Sequence, residues 1–404
     1  MTDKFEPVLR FMVVSDVHYK DEHTMVRDRF EKAIKCAYRY AESCDYKNLD
    51  ALYVVGDFAT SGSEIQMKAF KETIDNNIKP GTEVTLTLAS HEFSQANGGE
   101  EAALERFDRI FNMPPDTHKV INGFHFIGIT TTNGCRFSDE KIEYAAKSLR
   151  EAANDDPKKP IFFFQHPHIT NTVYGSILWG EDELIPTLVN YPQVIDFSGH
   201  SHAPINDPRS IHQKHFTSVG TGTLYYFELD EFDKIYGTIP PDKEEAAQML
   251  IVEADKDNRV RIYTYDVLTE NFFAPPWEID EPSNPESFKY TDKRYVTAKA
   301  PYFPAGSKLD VNDITDTGCS ITFTQAEDEP YVNGYDIYVY RKADKVLRRK
   351  ICVWSHYYLY NMPETVTQLI DDLESNTEYE IKVYANSFWK TVSSDYLSAE
   401  IKTK

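Results

Sequence analysis

A chain of 404 residues with 41% hydrophobic, 13% aromatic and 27% charged side chains is not disordered, collagenous or disulfide-stapled, and its length suggests two or three domains. Lys and Arg number 43 against 65 Asp and Glu, a formal net charge of −22, which repels a polyphosphate backbone; no nucleic-acid polymer is expected as partner, and a small anionic substrate needs a local cation to draw it in. The longest apolar runs, such as Phe11-Met12-Val13-Val14 and Ile161-Phe162-Phe163-Phe164, fall far short of the ~20 residues that span hydrocarbon, so no membrane span is expected.

From residue 8 to about 230, short apolar runs alternate with helical periodicity and each run closes on a small polar cluster, the layout of an α/β domain. Strands are predicted over 8–15, 51–55 and 84–89, with helices over 25–43 and 64–76 between them. A helix over 100–111 follows, then a hairpin over 119–130 turning at Asn122-Gly123, and an amphipathic helix over 139–153 capped by Ser138. Buried strands over 161–165 and 194–198 come next. Period-2 patterns over 216–229 and 249–267 then predict a second, more antiparallel sheet.

The stretch after residue 268, with Ala274-Pro275-Pro276-Trp277 and Glu281-Pro282-Ser283-Asn284-Pro285, has linker composition. It divides the chain into a first domain over 1–270, a proline-rich linker over 271–304 and a β-rich domain over 305–404. Strands predicted over 320–323, 335–340, 347–354, 379–385 and 399–403 have the spacing of a β-sandwich. Leu373, Thr377, Tyr379, Val383 and Ala385 resemble the Leu-x-x-x-Thr-x-Tyr-x-x-x-Val-x-Ala stretch of fibronectin type III modules. The basic stretch 341–350 reads as a solvated hairpin before an anion patch. Cys36, Cys44, Cys135, Cys319 and Cys352 are odd in number and far apart, without a Cys-x-x-Cys spacing. A reduced, cytoplasmic setting is therefore expected, with secretion the alternative if a leader has been trimmed away.

Five segments place polar residues just after predicted strands: Asp16-Val17-His18, Gly56-Asp57, Ser90-His91-Glu92, His166-Pro167-His168 and Gly199-His200-Ser201-His202. The carboxyl ends of strands in α/β sheets share a crevice, so segments 186 residues apart can converge. Carboxylate and imidazole together suit Mn, Fe or Zn better than Ca or Mg, and two ions need a bridging ligand, for which Asp57 is the natural choice. A lone Asp or His at a strand end is usually a cap; five in this order are not all dismissed that way.

At these residues the chain resembles the calcineurin-like metallophosphoesterases, whose ordered pattern is D-x-H, G-D, G-N-H-D/E, H, G-H-x-H. The resemblance implies two mixed β-sheets flanked by helices over the first domain, a catalytic domain extending to about 270. It also implies two divalent or mixed-valence transition-metal ions, with Asp16, His18 and His202 on one, His166 and His200 on the other, Asp57 between them, and His91 beside the leaving group. A metal-bridging hydroxide would attack phosphorus in line, and His91 would protonate the departing oxygen. Two departures matter: Ser90 stands where the family has an Asn ligand to the second ion, and Thr60 where many members have an Asp that orients the catalytic His. The absence of Tyr at position 60 argues against the chromophore of purple acid phosphatases.

The resulting expectation is a metal-dependent hydrolase of small phosphate esters, diesters slightly ahead of monoesters because no Arg follows the second block. Substrate contacts are sought at His168, which packing would also explain, and at Asn133, for which a turn is the rival reading. Tyr174 and Trp179, in the insertion 169–183, are candidates for a leaving-group wall. Two alternatives carry other predictions: a catalytically weakened binding or regulatory protein on the same fold, or an adhesive protein that meets a protein or glycan partner through the C-terminal module.

Overall fold

Strands that are apolar on both faces need cover on both faces, and the computed structural model, which describes residues 4–230 and 239–404, supplies it in layers. In chain order the elements are β1 (Pro7–Val14), α1 (Met25–Ser43), β2 (Ala51–Val55), α2 (Glu64–Asn77), β3 (Glu83–Thr87), α3 (Gly99–Phe111), β4 (Thr117–Ile121), β5 (Phe124–Gly128), α4 (Asp139–Asp155) and β6 (Ile161–Phe164). There follow the short β7 (His168–Ile169), β8 (Gly180–Glu181) and α5 (Ile185–Leu188), then β9 (Val194–Ser198), β10 (Ile211–Gln213), β11 (Thr217–Gly220), β12 (Gln248–Asp255), β13 (Val260–Asp266), β14 (Asn271–Phe272) and β15 (Trp277–Ile279).

Among the described residues one sheet has the order β14-β13-β12-β1-β2-β3, with β15 also paired to β13, and a second has the order β10-β11-β9-β6-β5-β4. The sheets face each other across Phe11, Tyr53, Phe126, Phe162, Phe164 and Phe197. Tyr53 lies face to face with Phe164, and Phe11 meets Phe162 edge-on with centroids 4.8 Å apart, the latter a contact that aromatic quadrupoles favour. Outside the first sheet, Phe30, Ala33, Ile34 and Ala37 of α1 and Met67, Phe70 and Ile74 of α2 share a core with Met12, Val14, Leu52 and Val54. Outside the second, Ala145, Leu149 and Ala152 of α4 pack with Ile127, Phe163 and Val194. These i, i+3/i+4 stripes are what one-sided burial of a helix requires.

Two expectations change. The antiparallel patterns beyond 216 do not build a separate sheet: β11 runs parallel to β9, and β12 pairs antiparallel with β1, bringing Val252 opposite Phe11. The edge of β1 away from β2 is thereby occupied, a pairing across more than 230 residues that local periodicity does not encode. The proline-rich stretch is docked for part of its length: β14 and β15 pair with β13, Ile279 enters the inter-sheet core, and Trp277 and Tyr290 pack against it. The division into two compact units falls after Thr291.

The second unit contains β16 (Leu309–Asn312), β17 (Cys319–Thr324), β18 (Gly334–Arg341), β19 (Leu347–Trp354), β20 (Thr365–Ile370), β21 (Glu378–Asn386) and β22 (Leu397–Lys402). Sheets β16-β17-β20 and β19-β18-β21-β22 share one core through Ile321, Phe323, Ile337, Val339 and Ile381, a β-sandwich. The Tyr379 hydroxyl accepts the backbone N–H of Glu374 at 2.8 Å, a tyrosine corner. The basic stretch is tied to the module's own acids, Arg341 and Arg348 to Glu374 and Arg349 to Asp371, as the hairpin reading requires. Among the described residues no helix is long and apolar enough to cross a membrane.

Candidate metal centre

The polar segments all leave carboxyl ends of strands: Asp16 and His18 follow β1, Asp57 follows β2, Ser90 and His91 follow β3, His166 follows β6, and His200 and His202 follow β9. Turning sharply out of the sheet puts five of these side chains on left-handed backbone, with φ of 51° at Asp16, 56° at His18, 48° at Asp57, 73° at His200 and 53° at His202. Such residues each cost roughly 1–3 kcal/mol unless the surroundings over-determine them, and they cluster at functional sites. Two glycines make the convergence possible: a Cβ at Gly56 would lie 2.6 Å from His166 Nδ1, and one at Gly199 would lie 2.5 Å from Asp16 Oδ2.

Three overlapping groups result, and Asp57 belongs to two of them, in one of which it gathers with His18 and His91. Ligand atoms of Asp16, His18 and His202 lie within 4.8 Å of one another, and so do those of Asp57, His166 and His200. His18 Nε2 is 3.1 Å from His202 Nε2, and Asp16 Oδ1 is 3.3 Å from His202 Nε2. His166 Nε2 stands 3.0 Å from Asp57 Oδ2. The outward atoms are fixed: His166 Nδ1–H donates to the Val55 carbonyl at 2.7 Å and His202 Nδ1–H to that of Tyr226 at 2.8 Å, which leaves Nε2 of each ring for the centre. Asp16 Oδ2 accepts from Ser15 Oγ at 2.5 Å and from the His200 N–H at 3.1 Å.

The electrostatics are unsettled in the way an ion would settle. Burial pushes the Asp16 carboxyl up from its ordinary value, outweighing His202 and His166. Burial also opposes ionisation of Asp57, yet His166, His91 and His18 hold it well below the usual carboxylate range. His166 is disfavoured as a cation by burial, but Asp57 and Asp16 push it up to about 10. His18 is driven well down by burial and by His202, and His200 to about 3 by burial and His166. Asp16 Oδ1 and His166 Nε2 are buried and make no well-aligned hydrogen bond, facing only His202 Nε2 at 3.3 Å and Asp57 Oδ2 at 3.0 Å, an arrangement that folded chains rarely leave standing. Buried carboxylate and imidazole donors aimed at common points fit transition-metal ions.

Ser90 is placed against Asp57 itself: its hydroxyl donates to Oδ2 at 3.1 Å and lies 3.3 Å from Oδ1. The His91 N–H donates to Asp57 Oδ1 at 2.9 Å, its Nδ1–H to the Thr60 carbonyl at 2.8 Å, and its Nε2 lies 4.0 Å from Asp57 Oδ2. The orienting acceptor sought in the side chain at position 60 is thus supplied by that residue's backbone. Trp179 meets His200 edge-on with centroids 4.9 Å apart, a wall on the His200 side.

The other three candidate substrate contacts have the following surroundings. His168 is 1% exposed, with Nδ1 2.8 Å from Ser198 Oγ and Nε2 2.7 Å from Ser201 Oγ, so neither nitrogen is offered to a phosphate. Tyr174 lies beneath the Arg209 guanidinium at 3.9 Å and its hydroxyl accepts the Asp230 N–H at 2.7 Å, which anchors the insertion. Asn133 is exposed, at φ 53°, with its N–H donated to Glu100, a turn residue. Other residues at the centre went unassigned in the sequence. Glu92 is fully buried and accepts the N–H groups of Asp57, Ala59 and Ala89 at 3.1, 2.8 and 3.0 Å; burial and Asp57 push it up to about 8. Tyr226 packs on His202 at 4.4 Å, Tyr225 on His18 at 5.5 Å, and Lys20 Nζ sits 5.2 Å from the Tyr225 ring centre. Cys135 Sγ is 3.7 Å from His200 Nε2. Only Glu92 had a signal, its place beside His91.

Residues 9–204 match the family model of the calcineurin-like phosphoesterases. No curated protein matches the sequence. Among solved structures the chain is similar to the purple acid phosphatase PPD1 from seeds of yellow lupin (Lupinus luteus), with 15% identity over 67% of this chain and 53% of that one, at a TM-score of 0.48. The chain thus spans about half the length of that relative. Over 26% of its length it is similar to the fn3 domain of the human collagen alpha-1(XX) chain, at 19% identity, 87% coverage of that domain and a TM-score of 0.20. A redesigned β-sandwich protein is similar over 26% of this chain and 94% of its own, at 22% identity and a TM-score of 0.19.

Proposed function

From the premise that this chain is a metal-dependent phosphoesterase, its residues 9–204 matching the calcineurin-like phosphoesterase model, we propose that it hydrolyses small phosphate esters with two ions drawn from Mn, Fe and Zn, and diesters before monoesters. Asp16, His18 and His202 would hold one ion, His166 and His200 the other, and Asp57 would bridge. Bound there, the pair would supply Lewis-acid stabilisation of the phosphoryl oxygens and a water acidified for in-line attack. The single observation supporting this reading is the convergence of Asp16, His18 and His202, and of Asp57, His166 and His200, into two groups whose ligand atoms lie within 4.8 Å of one another.

The chain's own residues do the rest. Ser90 and the His91 N–H hold the Asp57 carboxylate in the orientation from which it would bridge two ions. With Nδ1–H fixed on the Thr60 carbonyl, His91 presents Nε2 to the solvent side, where a proton on it reaches the departing oxygen. Trp179, Tyr225 and Tyr226 flank the ligands and restrict water around them. The diester preference rests on charge: residues 57–62 contain no Lys or Arg, and the Thr60 hydroxyl is committed to the His18 carbonyl at 3.0 Å. A dianionic monoester would gain little there over a monoanionic diester.

Protein reconstituted with Mn²⁺ and supplied with bis(4-nitrophenyl) phosphate or 4-nitrophenyl phosphate should show the larger kcat/KM for the diester. A larger value for the monoester overturns the preference. Two bound ions without turnover of either ester would favour the reading as a regulatory or binding protein, which the departures at Ser90 and Thr60 otherwise motivate.

A further inference from the structure

We propose that His168 is a positioning residue that ties the two ion sites into one mechanical unit by gripping the loop that carries a ligand of each. The proposal rests on the dinuclear reading above. The His168 imidazole joins Ser198 Oγ, at 2.8 Å from Nδ1, to Ser201 Oγ, at 2.7 Å from Nε2. A neutral imidazole has one donor and one acceptor nitrogen, and each hydroxyl rotates to suit the nitrogen it faces, so both contacts are satisfied at once.

The location gives that bridge its consequence. Ser198 closes β9 just before the loop, and Ser201 sits between His200 and His202. His200 groups with Asp57 and His166, whereas His202 groups with Asp16 and His18. His168 is itself two residues beyond His166. One buried ring therefore clamps three segments: the end of β9, the histidine loop, and the stretch bearing the third imidazole of the second group. The loop needs an outside restraint, because both of its histidines are held at positive φ. Its own contacts at Ser201 are a 2.9 Å bond from the Ser201 N–H to Gly199 and a 3.3 Å bond from the Ala203 N–H to the Ser201 hydroxyl. From the other side Gly175 packs so closely that a Cβ there would lie 2.6 Å from Ser201 Cβ.

Partners of this kind, which orient a ligand without touching the ion, typically change metal affinity by about 10–100-fold. Because Ser201 lies between ligands of different sites, releasing it should weaken both together. A purely structural histidine would instead lower the melting temperature and leave the affinities of the folded protein unchanged.

The test uses the metal-depleted full chain and its His168→Ala, Ser201→Ala, double and His168→Gln variants. Each is titrated with Co²⁺ against a competing chelator, with the ligand-field absorption read at each step. His168→Ala should weaken both steps by about 10–100-fold, and the double variant should bind little more weakly than His168→Ala, because the 2.7 Å bond between the two residues is already lost and Ser201 then gives up only its 3.3 Å contact with the Ala203 N–H. His168→Gln, whose amide also offers one donor and one acceptor, should recover most of the loss. If His168→Ala does not fold, Ser201→Ala, which deletes a single hydroxyl, is read in the same way. Wild-type affinities in the folded variants, or a change confined to one step, would overturn the proposal while leaving the dinuclear reading intact. Uptake of fewer than two Co²⁺ by the wild type would bring down both.

Discussion

Asp16, His18 and His202 lie on one side of Asp57 and His166, His200 and Ser90 on the other, and the two sides are finished differently. On the first, all three ligands are buried, Asp16 Oδ2 is held by Ser15 and the His200 N–H, His202 is held by a carbonyl, and Tyr225 and Tyr226 close the flank. On the second, His166 is as firmly set, but Ser90 is only half-buried and spends its hydroxyl on the shared carboxylate. The difference teaches where the short side chain at position 90 is placed: its hydroxyl meets the Asp57 carboxylate, and an ion held by His166 and His200 as proposed would gain less from it than from a longer amide. The first site should therefore fill before the second.

Removing the bridge erases the contrast altogether. Asp57→Asn should lose both ions and drop turnover by about 10⁴-fold or more, since metal charge stabilisation supplies several kcal/mol; metal content and turnover of the purified variant check this, and two retained ions with near-wild-type rate would contradict the assignment. His91→Ala leaves the contrast untouched: both ions should stay while the rate falls by ~10²–10⁴-fold, most for esters with poor leaving groups. A loss independent of leaving-group pKa would remove His91 from the proton transfer.

Ser90→Asn should sharpen the comparison from the other direction. An added amide oxygen should tighten the weaker step of a metal titration by about 10–100-fold and leave the stronger one in place; two equal steps in the wild type would refute the difference between the sites. The last effect leaves the ions aside and falls on stability. Asp196 is fully buried on β9, and burial pushes its carboxyl from 3.8 up to about 8, with Gln165 opposing. The native state keeps a proton that the unfolded chain releases near 3.8, so this group's contribution is whole below that pH and is lost, by ~1.4 kcal/mol per unit, as pH rises toward about 8. Asp196→Asn should therefore gain melting temperature over the wild type progressively between about pH 5 and pH 8. A difference that does not vary with pH would show that Asp196 is not the protonated group.

The polar blocks were legible because five of them follow buried strands in one specific order, although any one of them alone would read as a cap. Helices α1 to α4 were legible from one-sided apolar stripes. Other features had no local signature. The acceptor for His91 is a backbone carbonyl, which any residue at position 60 would supply, so the substitution to Thr looked like a loss. His166 and His168 share one short segment and the same residue type, yet one faces Asp57 and the other two serines, because the chain leaves β6 at Phe164 and strand alternation no longer governs it. The pairing of β12 with β1 depends on which edge stands open once β2 has docked. The short edge strand β16 and the edge strand β20, whose apolar residues Val366, Leu369 and Ile370 do not alternate cleanly, carry no strong strand pattern.

The positive φ values at positions 16, 18, 57, 200 and 202 also bear on what sequences this fold would choose if freed from its task. Glycine enters the left-handed region without steric penalty, and Asp, Asn and His enter it more readily than other side chains. A library of this chain selected for heat resistance alone should drift toward glycine at those five sites, relieving backbone energy while discarding the polar groups. Asp and His at all five are residue types that both tolerate the turn and bring a donor atom to it, so torsion angle and chemistry are met by one choice.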